Sequence, residues 1–152
     1  MADNPTKWSA LGTHTELIAT ASLKNLANGA GVLGAEVDNS VGSQYAYVEL
    51  SCKGASAFSA GGYVGIWLVH AVDGTNYEDG SATGPVTPAR PADIVIPVRA
   101  TTAQQRQVVG PVLWPPGKFK ALLVNATGQA FTNADNENTL YYRTFNDNLV
   151  TS

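Results

Sequence analysis

The stretch that decides the fold is Gly61-Gly-Tyr-Val-Gly-Ile-Trp-Leu-Val-His-Ala-Val-Asp-Gly-Thr-Asn-Tyr-Glu-Asp-Gly80. From Tyr63 to Val72, both alternating sets of side chains are largely apolar, and this pattern is typical of a strand covered on both faces. Turn-forming residues on either side leave too short an interval for a long helix. The stretch therefore predicts the central strand of an all-β domain, leaving through a polar loop.

Working outward, the segment Tyr45 to Cys52 alternates between apolar side chains and a second set containing Tyr45, Tyr47 and Glu49. One face is expected to pack in the core, and the other to be exposed to solvent or to lie at an interface. Further strands are predicted at 32–37, 93–99, 104–113, 118–125 and 139–145, with Pro97 indicating an edge strand. The segment 16–26 could form a helix, but Thr20, Ser22 and the following Asn-Gly pair favour a strand.

About eight strands, short loops and no convincing helix predict a β-sandwich with a jelly-roll-like topology. Residues 1–13 are expected to form an extended N-terminal arm, residues 14–146 the sandwich and residues 147–152 a C-terminal tail. The proline-rich segment 73–92 is expected to be a surface loop.

Composition narrows the range of partners. The chain has 152 residues, of which 44% are hydrophobic and only 14% charged, against about 25% charged in ordinary globular domains. A surface so poor in charge suggests that much of it faces other protein. A net charge of −3 argues against nucleic-acid binding. We expect no membrane partner, because no apolar run approaches the ~20 residues of a spanning helix. No signal peptide is evident, so we expect the protein to be produced in the cytoplasm.

The residues that usually carry catalysis are scarce. There are two histidines, His14 and His70, and a single cysteine, Cys52, whose place in an alternating strand predicts a buried, inert thiol. The acidic loops 73–79 and 133–138 lack the ligand spacing of a calcium loop. We therefore predict a protein that is not an enzyme, with no catalytic residues, no cofactor and no metal site.

Aromatic residues give the stronger signal. They could pack beneath a second sheet, or form an exposed strip for sugar stacking or for a subunit interface. The arm residues Trp8 and Leu11 either pack on the domain or dock on a partner; we favour docking and expect loss of residues 2–12 to leave stability nearly unchanged. The residues predicted to form a partner interface are Trp8, Leu11, Tyr45, Tyr47, Tyr77 and Trp114.

Several short motifs resemble those of small proteins from structural gene clusters of tailed bacteriophages. They are Tyr47-Val-Glu-Leu50, Gly65-Ile-Trp-Leu-Val69, Asp73-Gly-Thr-Asn-Tyr77, Asp79-Gly-Ser81, Pro97-Val-Arg-Ala-Thr101, Pro115-Pro-Gly-Lys-Phe-Lys120 and Leu123-Val-Asn125. The resemblance spans residues 15 to 145 and is to capsid decoration (cement, or head-stabilising) proteins with a jelly-roll-like fold. It implies a homotrimer on the outer surface of the virion capsid, bound to the major capsid protein. The alternative function is that of a carbohydrate-binding module or a phage tail or receptor-binding protein.

Overall fold

The computed structural model describes residues 6–80 and 85–149, which form ten strands and one short α-helix. The helix α1 spans Thr20–Leu23, and a single 3-10 turn spans Glu78–Gly80. The strands are β1 Thr6–Trp8, β2 Thr15–Ile18, β3 Gly31–Asn39, β4 Tyr45–Cys52, β5 Tyr63–His70, β6 Ile94–Pro97, β7 Gln105–Leu113, β8 Gly117–Ala126, β9 Thr139–Phe145 and β10 Asp147–Leu149.

Eight of these strands form two four-stranded sheets that face each other. The first sheet has the order β2-β9-β4-β7 and the second the order β3-β8-β5-β6, with every neighbouring pair antiparallel. Only the β5 to β6 connection stays within one sheet, whereas the other connections from β2 to β9 cross between sheets. This is the eight-stranded arrangement of a jelly roll, so the predicted fold class is confirmed.

The core lies between the two sheets. As predicted, β5 has buried apolar side chains on both of its faces. Val64, Ile66 and Leu68 point into the main core, together with the predicted inward side chains of β4. Trp67 and Val69 belong to a second apolar cluster, on the outer face of the second sheet. The prediction of a central strand covered on both sides is confirmed, and Pro97 lies on an edge strand as expected.

Residues 71–80 and 85–93, here called the covering loop, pack on the part of the second sheet's outer face around Trp67, while Tyr63 and Val95 on that face stay exposed. Trp67 donates its indole N–H to the carbonyl of Arg90 at 2.9 Å, and the amide of Leu68 donates to Asp93 Oδ2 at 2.6 Å. Gly65 makes room for the indole, because a Cβ there would lie 2.9 Å from the ring. The segment predicted as a surface loop thus packs on the sheet while its other side faces solvent.

The segment 16–26, predicted as a strand, divides into β2 and α1. The Glu16 carboxylate accepts hydrogen bonds from the Thr20 amide at 2.6 Å and the Thr20 hydroxyl at 2.5 Å. These bonds satisfy an amide at the start of the helix that has no partner within it. The single helical turn then buries Leu23, and Leu26 follows it into the core.

The two ends of the domain, predicted as an extended N-terminal arm over 1–13 and a C-terminal tail over 147–152, are held together where the structure describes them. β1 and β10 form an antiparallel ribbon in which Thr6 lies opposite Leu149. The Gly12 amide donates to the Thr144 carbonyl at 2.7 Å, which continues the ribbon towards β9. Three-residue strands carry no readable period, so only the pairing reveals them. The remainder of the predicted arm and tail, residues 1–5 and 150–152, lies outside the described residues.

Candidate functional site

An aromatic patch lies at one end of the outer face of the first sheet and consists of Trp8, Tyr45, Tyr47 and Phe145. Phe145 stacks on Tyr45 with ring centroids 5.5 Å apart and on Tyr47 at 5.1 Å, and Trp8 meets it edge-on at 5.5 Å. Cross-strand register places Tyr45 opposite Phe145, so both side chains project from the same face. Trp8 remains 60% exposed and Tyr47 37%.

The edge strand β7 extends this apolar surface. Leu113, which is 77% exposed, lies opposite Tyr45, and the exposed Val108 lies opposite Glu49. Single exposed apolar residues are ordinary, but a contiguous group on one face is typical of an interaction surface. Of the residues predicted for a partner interface, the structure therefore brings together Trp8, Tyr45 and Tyr47.

Two other predicted interface residues, Tyr77 and Trp114, are buried in the chain itself, which corrects their assignment. Trp114 stacks on Tyr142 at 4.7 Å and meets Phe119 edge-on at 5.0 Å, inside the core. The Tyr77 hydroxyl donates to Glu36, and the pKa of Tyr77 is raised to about 12 by burial and by this carboxylate. Neither side chain offers a surface to a partner.

Leu11, the sixth predicted residue, is exposed on the segment between β1 and β2. The same segment is tied to β9, where Arg143 Nε donates to the carbonyl of Gly12 at 2.7 Å. Leu11 therefore lies on a backbone held against the first sheet.

Beside the aromatic patch, the same face contains a polar hollow of about 490 Å³. Cross-strand register explains its position, since Glu49 lies opposite Tyr141, and Ser51 lies opposite both Arg106 and Thr139. The lining residues are His14, Glu49, Ser51, Gln104, Gln105, Arg106, Asn136, Thr139 and Tyr141.

Charge and stacking fix the side chains of the polar hollow. Arg106 donates to Glu49 Oε1 at 2.8 Å, and this hydrogen bond lowers the pKa of Glu49, with a smaller effect of the nearby His14. Glu49 is therefore a carboxylate at neutral pH. The imidazole of His14 stacks on Tyr141, with ring centroids 4.3 Å apart and planes 18° from parallel.

The cysteine and the possible metal ligands do not form a further site in the part of the chain that the structure describes. Cys52 is buried, and burial raises the pKa of its thiol to about 12, so the predicted inert thiol is confirmed. Within residues 6–80 and 85–149, no three His, Cys, Asp or Glu side chains are grouped to hold a metal ion. No helix in the same ranges is long and apolar enough to cross a membrane.

No protein-family model, curated protein sequence or solved structure matches the chain. The function is therefore argued from the site itself. Sequence reasoning counted Tyr141 among the aromatic residues but did not place it on this face, and it missed Phe145, Val108, Leu113, His14 and Arg106. The outward alternation of β4 was the available signal, because it placed Tyr45, Tyr47 and Glu49 on this face, but their neighbours come from other strands.

Proposed function

We propose that this protein is a non-enzymatic structural protein of a tailed-bacteriophage virion, which decorates the outer surface of the capsid. In this role it binds as a homotrimer and bridges neighbouring subunits of the major capsid protein. The observation that carries the proposal is the pair of exposed side chains Trp8 and Tyr47, packed on the buried Phe145 and continued by Leu113 on one face of the jelly roll. The number of subunits comes from the resemblance to decoration proteins.

The patch suits a protein partner because large aromatic side chains supply most of the binding energy at such interfaces. The rings already contact one another, so little side-chain freedom remains to be lost on binding. A ligand that binds only the assembled shell stabilises it by mass action, and repeated contacts on a lattice reinforce one another.

Cosedimentation with capsids stripped of the protein tests the proposal. The pair Val108→Thr and Leu113→Thr removes apolar surface from the first sheet. The matched control is Val95→Thr, because Val95 on the edge strand β6 of the second sheet is 53% exposed and Val108 is 59% exposed. We expect wild type and control to bind, the double variant to bind at least about tenfold more weakly, and bound heads to retain DNA at higher temperature.

Two results would count against this role: equal binding by all three proteins, or capsids whose thermal stability does not change on binding. Immunogold labelling of intact virions separates head from tail, and label confined to tails would support the alternative location. Light scattering across a dilution series measures the oligomer in solution, and the number of copies bound at each capsid site measures it on the capsid. We expect a trimer in both settings. A monomer in both settings would reject the trimer.

A further inference from the structure

The polar hollow differs from the aromatic patch in its chemistry. It is built from five separate parts of the chain: the segment before β2, the strands β4 and β9, the loop 133–138 and the start of β7. Its volume of about 490 Å³ falls within the roughly 300–1,000 Å³ range of small-molecule sites. Hydroxyl, amide, carboxylate and guanidinium groups dominate the lining, which favours a polar ligand.

The walls of the polar hollow are held in place before any ligand arrives. Gln104 Nε2 donates to Ser51 Oγ at 2.9 Å and to the Glu137 carbonyl at 3.2 Å, which ties β4 to the loop 133–138. Gln105, which is buried, accepts from the Arg99 amide at 2.7 Å and donates to the Arg99 carbonyl at 2.8 Å. Prior ordering of this kind lowers the entropic cost of binding.

The charges of the lining indicate an uncharged ligand. At neutral pH the full charges of the lining are those of Arg106 and Glu49, which pair at 2.8 Å, and His14 Nε2 lies 3.7 Å from the same Glu49 oxygen. A phosphate or carboxylate ligand would have to displace Glu49 from its guanidinium. A ligand with hydroxyl groups can instead donate to the carboxylate and accept from the guanidinium without separating them.

The stack of His14 on Tyr141 gives the polar hollow an aromatic face. The two rings are stacked face to face, so a ligand can contact only the outward face of the stack, and an aromatic face packs well against C–H groups. His14 Nε2 lies 3.7 Å from Glu49 Oε1, which places the stack beside the charged pair. A sugar ring combines an apolar C–H face with hydroxyl groups at its edge. We propose that the polar hollow is a binding site for a neutral saccharide, with the aromatic stack against the sugar ring and Glu49 and Arg106 at its hydroxyls.

The proposal adds a second binding activity on the same face and does not depend on the capsid role. A glycan array of neutral hexose-terminated and N-acetylhexosamine-terminated oligosaccharides, probed with the full-length protein, identifies the ligand. Titration with that saccharide, followed by NMR amide shifts, gives its affinity and position. We expect a Kd of about 1 mM or lower, with shifts concentrated at Ser51, Arg106 and Tyr141.

The variants Glu49→Gln and Tyr141→Ala remove the carboxylate and the stacking ring, and both should weaken binding at least about tenfold. Leu113→Thr, on the same face but outside the hollow, should leave sugar binding unchanged, and a thermal melt of each protein checks folding. Glu49→Gln preserves the shape of the side chain, so it remains informative if Tyr141→Ala does not fold.

Three results would overturn the proposal. They are no array signal together with no saturation-transfer signal at about 10 mM sugar, ten times the expected Kd; binding retained in both hollow variants; and binding lost only in Leu113→Thr. Capsid cosedimentation without sugar is measured separately, so failure of the saccharide site and failure of the capsid role give different results.

Discussion

The outer faces of the two sheets differ in how far other segments of the chain cover them. On the second sheet, the covering loop returns across β5 and leaves Trp67 only 9% exposed, with its indole hydrogen-bonded to Arg90. On the first sheet, no such segment among residues 6–80 and 85–149 lies over Tyr47, and this side chain keeps 37% of its surface exposed. Whether an outward aromatic residue is buried or exposed therefore depends on whether a loop packs over its part of the sheet.

The covered face also shows what fastens a loop to a sheet. The guanidinium of Arg90 donates to Glu78 at 2.8 and 3.1 Å, to Asp93 at 2.8 Å and to the Leu68 carbonyl at 3.1 Å. The first sheet carries polar groups too, but they line an open hollow. The covering loop thus closes the part of the second sheet around Trp67, whereas Tyr63 and Val95 on the same sheet stay 43% and 53% exposed.

The largest effect is expected from Trp67→Ala on the covered face. The substitution removes a buried indole and leaves the Arg90 carbonyl without its donor, so we expect a loss of about 3–5 kcal/mol in the free energy of unfolding. The control Tyr47→Ala, on the open face, should cost about 1 kcal/mol through loss of stacking on Phe145. Urea denaturation measures both, and equal losses would contradict the distinction between the faces.

The next effect is expected from Arg90→Ala, which releases the covering loop. The Arg90 side chain is about one third exposed and its ion pairs are partly screened, so we expect a loss of about 1–2 kcal/mol. Arg106→Ala on the open face is the control, because the more exposed Arg106 makes a single ion pair with Glu49, at 2.8 Å, and should not shift the urea midpoint. A larger shift for Arg106→Ala than for Arg90→Ala would show that the loop is held by something else.

A smaller effect is expected from Trp8→Ala, and here the structure changes the expectation drawn from the sequence. Trp8 packs on Tyr45 and Phe145 within its own chain, so its loss should cost about 1 kcal/mol and lower the melting temperature by about 2–4 °C. Lys7→Ala, on the neighbouring residue of β1, should leave the melting temperature unchanged. An unchanged melting temperature for Trp8→Ala would contradict this expectation and would support the earlier prediction that Trp8 docks on a partner.

The smallest effect concerns acid and the start of the covering loop. Amide and side-chain donors of Asn76, with the amide of Thr75, lower the pKa of Asp73 to about 2. Because this value is below the ordinary 3.8, the carboxylate contributes stability above about pH 4 and loses it as the pH falls towards 2. NMR shifts of the Thr75 and Asn76 amides should titrate in that window in wild type and not in Asp73→Asn. Titration centred at or above pH 4 would contradict the hydrogen-bonded turn.

The sequence was most informative where local periodicity coincides with burial. The two-sided apolar pattern of β5, the alternation of β4 and the edge position of Pro97 were all predicted from residues within one strand. These features follow from the two-residue period of a strand. They were sufficient for the fold class and for half of the aromatic patch.

The parts that could not be predicted depend on contacts between distant segments. Trp114 follows an exposed strand end in the sequence, yet it enters the core against Phe119 and Tyr142. Tyr77 is buried by packing of the covering loop. The polar hollow joins five segments, and no pattern within any single segment indicates that His14 will stack on Tyr141.

The ribbon of β1 and β10 also determines how the domain responds to force. Thr6 and Leu149 are its terminal pair, and the two strands run antiparallel, so tension between residues 6 and 149 loads their hydrogen bonds one after another. Bonds loaded in sequence break at lower force than bonds loaded together. The ribbon would open first, followed by the bond from Gly12 to Thr144, while the two sheets remain intact. Under tension, β1 and β10 would therefore act as a short extensible tether in series with a stiffer sandwich, seen in optical tweezers as an early low-force extension.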